Sequence, residues 1–375
     1  MTSGYYLIVD TTNPLPEHDA YNSAILQVTG KKITIRGKYT VPSADKTIEK
    51  VASPTGDTTE SNGSVTDEKE KDSATAEIGD VITYQLKTNL PSNLADYDSY
   101  NLELEDTLPA GLTFQNISSV KINDQTAVAE NYTVTTPNAE NGRKLTIEWT
   151  NIKADANALA EKSVVVTYTA ILNENADTLN GNENTFKVIY SNNPYVTGKG
   201  TSETDETKVY TFEVFVYKTD QDDNPLPGAG FIVENSEGKY YQYVEKSNSV
   251  QWVSNLDDAT EYTSGENGNL NHSFKGLAVG DYKLHENTTP SGYTTAADIP
   301  FSINATSKEN SDDIDIATTG LGKDKSDNLS ITVKNRSGHV LPSTGGIGTT
   351  IFYLAGGILV IGAAALLITK KKRNA

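Results

Sequence analysis

The run 209–220, VYTFEVFVYKTD, sets Phe212, Val214 and Val216 at every second position and then places Lys218 in the same row. A strand sends alternate side chains to opposite faces, so this lysine is aimed at whatever the row buries. Two further strand-like runs behave alike. SITVKN carries Asn335 behind Ile331 and Val333, and YKLHE carries Glu286 behind Tyr282 and Leu284, while Lys283 and His285 point the other way. Three polar groups buried separately in one small core are costly unless they meet. If they meet, they form a reaction centre. Apolar surroundings raise a carboxyl pKa and lower an amine pKa. A neutral Lys218 can then attack the Asn335 carboxamide while Glu286 polarises the carbonyl and shuttles protons until ammonia leaves. The product is an intramolecular Lys–Asn isopeptide bond.

Runs of Val, Ile, Thr, Tyr and Phe recur between Gly, Pro, Asn and Asp clusters, and no long stripe of period 3.6 appears before the C-terminal end. The pattern predicts an all-β chain of tandem immunoglobulin-like β-sandwiches. A length of 375 residues suits two or three domains. The formal charge of −19 repels nucleic acid and anionic lipid. With no cysteine, disulfides cannot staple the fold. Residues 53–73 are polar and read as an exposed loop or mobile insertion, and 198–208 as a domain linker.

The C-terminal end reads LPSTGG from Leu341, then an uncharged apolar run from Ile347 to Ile368, then Lys370, Lys371, Lys372 and Arg373. A run of that length forms a helix able to cross about 30 Å of hydrocarbon, and the basic cluster fixes its cytoplasmic side. Motif, span and basic end in this order resemble the sorting signal of Gram-positive surface proteins. The resemblance implies that a sortase reads Leu341, Pro342, Ser343, Thr344 and Gly345, cleaves between Thr344 and Gly345, and joins Thr344 to an amine. Cleavage removes the four basic side chains, so the membrane is a partner only before sorting. The implied location is the cell wall of a secreted, surface-displayed protein. Met1 to Asp10 shows no signal peptide, so the chain reads as N-terminally truncated.

Residues 209–338 resemble the CnaB-type domain of Gram-positive pilins and adhesins. The matching text is VYKTD, the segment YKLHENTTPSGY and the final-strand asparagine ahead of the sorting signal. In that family these positions hold the bond-forming lysine, the catalytic acid and the bond-forming asparagine, which implies Lys218, Glu286 and Asn335. Residues 45–208 repeat the parity. Lys46 and Ile48 align in ADKTIEK, Leu102, Leu104 and Asp106 in LELEDTLPAGLTF, and Asn184, Phe186, Val188 and Tyr190 in NTFKVIYSNNP. The stretch resembles the CnaA-like middle domain of pilus backbone subunits. That resemblance implies a Lys46–Asn184 bond with Asp106 as proton shuttle; Lys50 has the same parity and stands as the alternative lysine.

Residues 1–44 resemble the last strands of a pilin N-terminal domain, with Lys38 the candidate for the lysine that attacks a neighbouring subunit's acyl-sortase, ahead of Lys31 and Lys32. No zinc pattern links His18, His272, His285 and His339. The DQDDN run at 220–224 lacks the glycine and glutamate of a calcium loop and reads as a turn. No nucleophile elbow, phosphate loop or dinucleotide fingerprint occurs. Neither a metal nor a cofactor is expected, and the chain is expected to be no enzyme beyond one self-modification. The expected function is a structural pilus subunit, most simply a backbone pilin. Its partners are a sortase, neighbouring pilin subunits and peptidoglycan. The alternative is a monomeric wall-anchored adhesin with a host or extracellular-matrix ligand.

Overall fold

A computed structural model describes residues 3–12, 14–29, 40–53, 64–65, 72–308 and 313–338. Strands dominate it, with a few single-turn 3-10 helices such as Leu94–Asp96. Residues 3–29 carry an antiparallel pair, Gly4–Val9 with Ser23–Val28, in which Leu7 opposes Ile25. The connection between its two strands rests on the next unit, where the Tyr21 amide donates to the Asn192 carbonyl at 2.7 Å.

Two sheets enclose the first large core. One has five strands in the order Asp45–Ala52, Val81–Asn89, Ser163–Leu172, Leu112–Ile122 and Gln125–Thr126. The other has eight, with Lys144–Trp149, Leu102–Thr107, Asn182–Ser191 and Asp205–Tyr210 successive at its centre. Period-two sequences drive this packing. In Ser163–Leu172 every second residue, Val164, Val166, Tyr168, Ala170 and Leu172, is fully buried. These meet Leu102, Leu104, Ile147, Trp149 and Phe186 from the facing sheet. Burial of such apolar surface, at about 25 cal/mol per Å², is what drives the two sheets together.

The second core lies between a four-stranded sheet, ordered Phe274–Leu277, Phe212–Thr219, Leu329–Lys334 and Gly322–Lys323, and a seven-stranded sheet centred on Gly230–Asn235, Gly280–Thr288 and Ile299–Ser307. Phe212–Thr219 and Leu329–Lys334 run parallel, with Lys218 opposite Val333. The early and late strands of this unit are therefore neighbours.

The stretch 198–208, expected as a linker, is instead paired. Lys199–Thr201 and Asp205–Tyr210 both hydrogen-bond to Asn182–Ser191. Thr207 and Val209 turn inward while charged neighbours face out, an alternation that the polar composition hides. Only Thr211 then separates Tyr210 from the first strand of the second core.

A turn from the first unit enters the second. Ile78 is 1% exposed and packs in the second core. The Val250 amide donates to its carbonyl at 2.7 Å, and Trp252 Nε1 donates to Glu77 Oε1 at 2.8 Å. Glycine is required at Gly79, where φ is +107° and a Cβ would lie 2.5 Å from Ser249 Cβ.

No helix among the described residues is long and apolar enough to cross a membrane. The expected helix 347–368, the Leu341–Gly345 motif, Lys31, Lys32 and Lys38, and most of 53–73 lie outside the described residues. Of that last stretch, Ser64–Val65 pairs with Ser73–Thr75.

Candidate functional site

In the first core, Lys46 arrives from the five-stranded sheet, and Asp106 and Asn184 from the facing one. All three are completely buried. Lys46 Nζ is hydrogen-bonded to Asp106 Oδ2. The Asn184 carboxamide, oriented to satisfy its neighbours, donates to Asp106 Oδ1 at 2.8 Å and to the Thr107 carbonyl at 3.0 Å. Its oxygen accepts from Lys46 Nζ at 3.1 Å and from the Tyr168 hydroxyl at 2.7 Å. Amine, acid and amide are therefore in mutual contact.

Burial pushes the Lys46 amine below its ordinary value, against the attraction of Asp106, and pushes the Asp106 carboxyl above its own, against the attraction of Lys46. Both shifts favour a neutral amine beside a protonated acid. The centre is walled by aromatic rings. Tyr84 and Tyr168 oppose each other across their strands with centroids 5.1 Å apart, and Lys46 Nζ stands 4.9 Å from the Tyr84 ring.

Lys50 departs from the parity reading. A bulge between Ile48 and Lys50 inserts an extra residue into the pairing and turns Lys50 out to solvent. Of the two candidates, only Lys46 lies at the acid.

In the second core, Lys218 comes from the four-stranded sheet, Asn335 directly follows that sheet's strand Leu329–Lys334, and Glu286 comes from the seven-stranded sheet. All are buried, at 0%, 1% and 8% exposure. Asn335 Nδ2 donates to Glu286 Oε1 at 2.6 Å, and the Ala296 amide donates to Glu286 Oε2 at 2.6 Å. Lys218 Nζ donates to the carbonyls of Thr219 at 2.8 Å and Val333 at 3.3 Å, not to the acid or the amide. Its amine is pushed below its ordinary value by burial, opposed by the charges of Glu286 and Asp220. Asn335 Oδ1 is buried and has no hydrogen-bond partner. This centre brings acid and amide into contact, with the amine one strand away.

The 220–224 run is the expected turn. Asp220 Oδ1 accepts from the amides of Asp222 and Asn224 at 2.8 and 2.9 Å.

Sequence reasoning missed Tyr168. Its signal was the parity that marks Lys46: in SVVVTYTAIL it shares the inward row with Val164 and Val166 and is polar only at its tip.

Two tandem β-sandwiches with buried lysine, acid and asparagine, ahead of a sorting-type tail, define a surface protein of Gram-positive type. Three family models match the chain. Residues 78–194 match the Gram-positive pilin backbone subunit 2, Cna-B-like domain; 212–317 match a prealbumin-like fold domain; 334–375 match the LPXTG cell wall anchor motif. These matches support a backbone subunit of a sortase-assembled Gram-positive pilus, and the anchor motif indicates a surface protein anchored at the cell wall. The matched description of the middle unit is Cna-B-like, where the sequence resemblance pointed to a CnaA-like domain.

The chain is 25% identical to the trypsin-resistant surface T6 protein of Streptococcus pyogenes serotype M6, over 97% of this chain and 76% of that protein. Its fold is similar to that of the full-length major pilin RrgB from Streptococcus pneumoniae, with TM-score 0.59 and 15% identity over 89% of this chain and 83% of that one. It is likewise similar to the 35 kDa C-terminal fragment of the major pilin GBS80 of Streptococcus agalactiae, with TM-score 0.54 and 22% identity over 79% of this chain and 100% of that one.

Proposed function

We propose that each sandwich locks itself once with an isopeptide bond, Lys46 to Asn184 through Asp106 and Lys218 to Asn335 through Glu286. The observation that carries the reading is the fully buried contact of Lys46, Asp106 and Asn184. In water-free surroundings the Lys46 proton moves to Asp106, leaving an amine lone pair. That pair attacks Asn184 Cγ, and Asp106 passes protons from the attacking nitrogen to the leaving one. The new C–N bond replaces the old, and ammonia departs. No cofactor is consumed, and no external substrate is turned over. In the second centre, a rotation of the Lys218 side chain from the Val333 carbonyl toward the Asn335 carboxamide, whose oxygen is unpartnered, brings the reactants together.

The units assigned are residues 45–208 and 209–338, with 1–44 belonging to an N-terminal domain and 339–375 to the sorting signal. Thr344 is joined to the next subunit or to peptidoglycan, and Lys38 is the candidate acceptor lysine. Tension entering at one end and leaving at Thr344 then crosses two covalent ties. Without them it is held by sheet hydrogen bonds worth about 1 kcal/mol each.

The test is wall extraction followed by denaturing electrophoresis. A covalent ladder that collapses to monomer when Thr344 is replaced by Ala supports polymerisation; a single monomeric band in the native strain overturns it and favours a monomeric adhesin.

A further inference from the structure

We infer that Tyr168 is a further catalytic residue of the middle centre, its hydroxyl donating to the Asn184 oxygen as that oxygen gains negative charge. This rests on the crosslinking reading above. The hydroxyl touches every reacting group: it lies 2.7 Å from the Asn184 carboxamide oxygen, 3.0 Å from Asp106 Oδ1 and 3.3 Å from Lys46 Nζ.

A phenol has one proton to give, and the centre offers it two acceptors. While Asp106 is ionised, the carboxylate competes for that proton. Once Asp106 has taken the proton of Lys46, its pull weakens and the hydroxyl is released to Asn184. Attack by the Lys46 lone pair on Cγ moves the carbonyl π pair onto Oδ1, at the end of the 2.7 Å contact. Collapse of the tetrahedral carbon returns that pair and expels the nitrogen, which leaves as ammonia with the proton that Asp106 supplies. Tyr168 keeps its own proton throughout.

Three features suit the hydroxyl to this role. Burial pushes it well above its ordinary pKa, so it stays a donor and does not act as a base. The ring is immobilised, fully buried and stacked on Tyr84 with planes 18° apart, so the donor is in place before charge develops. The second centre differs, because there the corresponding carboxamide oxygen, Asn335 Oδ1, has no partner. One chain thus holds a centre with the donor and one without it.

The experiment uses the full chain made by cell-free translation, stopped by denaturant at intervals, with the peptides joining residues 46 to 184 and 218 to 335 quantified by mass spectrometry. In Tyr168→Phe the 46–184 bond should form about 100-fold more slowly, reach the wild-type yield at long times, and leave the 218–335 rate unchanged. A wild-type rate in Tyr168→Phe overturns the inference. If the Phe variant ends below the wild-type yield, a ring-fluorinated tyrosine at 168, a stronger donor of nearly the same shape, decides: a faster rate than wild type supports the role and an equal rate overturns it. Absence of the 46–184 peptide from wild type itself would instead remove the crosslinking reading, and this inference with it.

Discussion

Lys46 and Asn184 stand on facing sheets of one sandwich, with the lysine Nζ 3.1 Å from the carboxamide oxygen. A bond between them ties the two layers. Lys218 lies in Phe212–Thr219 and Asn335 directly after the neighbouring strand Leu329–Lys334 of the same sheet, with the acid reaching across from the other. The same three residue types therefore stand in two geometries: a bond in the first would join layers, and a bond in the second would join the early and late ends of a unit.

Replacing Asp106 by Ala should abolish the middle bond while leaving the second. A crosslink closing a loop of this size contributes on the order of 5 kcal/mol through chain entropy. The middle unit should therefore melt at a distinctly lower temperature in calorimetry, and the variant's deficit from its own sequence mass should be about 17 Da smaller than the wild type's because one ammonia is retained. An unchanged deficit would contradict the role of Asp106.

Glu286→Ala should act on the second unit. It removes the acid and leaves the Ala296 amide and the Asn335 side chain without their acceptor, which adds about 1–3 kcal/mol to the loss of the bond. Limited proteolysis should then cut within 209–338 at protease levels that leave the wild type intact. Equal resistance of the two proteins would count against the assignment.

The bond also controls a titration. Burial holds the Lys218 amine below 10.5, so in an uncrosslinked chain the folded state binds fewer protons than the unfolded state between the lowered pKa and 10.5. Stability must then rise with pH across that window and level off above it. In Asn335→Ala, denaturant unfolding of the second unit should show this slope. In wild type, the proposed bond would make Lys218 an amide without a titrating proton, and the contribution should be missing. Identical slopes would mean that Lys218 is a free amine in both.

The joint between the units offers a separate check. Ile78 is buried in the second core, between Gly276 and the Val250 strand. Ile78→Ala should cost about 3 kcal/mol and lower the melting temperature of the second unit, although the residue precedes that unit by more than a hundred positions. Melting confined to the first unit would contradict the contact.

Much of this was legible from alternation alone. Lys218, Glu286, Asn335, Lys46, Asp106 and Asn184 each extend an apolar row, and each is buried. Alternation fails wherever the pairing is irregular, as at the bulge that turns Lys50 outward. It is also blind to short polar strands: Lys199–Thr201 and Asp205–Tyr210 looked like a linker because their outward residues are charged. Tyr168 was hidden for the opposite reason, since a tyrosine in an apolar row passes for core until its hydroxyl is found against a lysine, an acid and an amide. The Ile78 joint depends on a contact distant in sequence, which no local pattern encodes.

The most direct measurement is the intact mass of the folded protein, followed by peptide mapping. Two isopeptide bonds predict a deficit of about 34 Da from the sequence mass, divided between one peptide joining residues 46 and 184 and another joining 218 and 335. A folded chain at its full sequence mass would contradict both bonds.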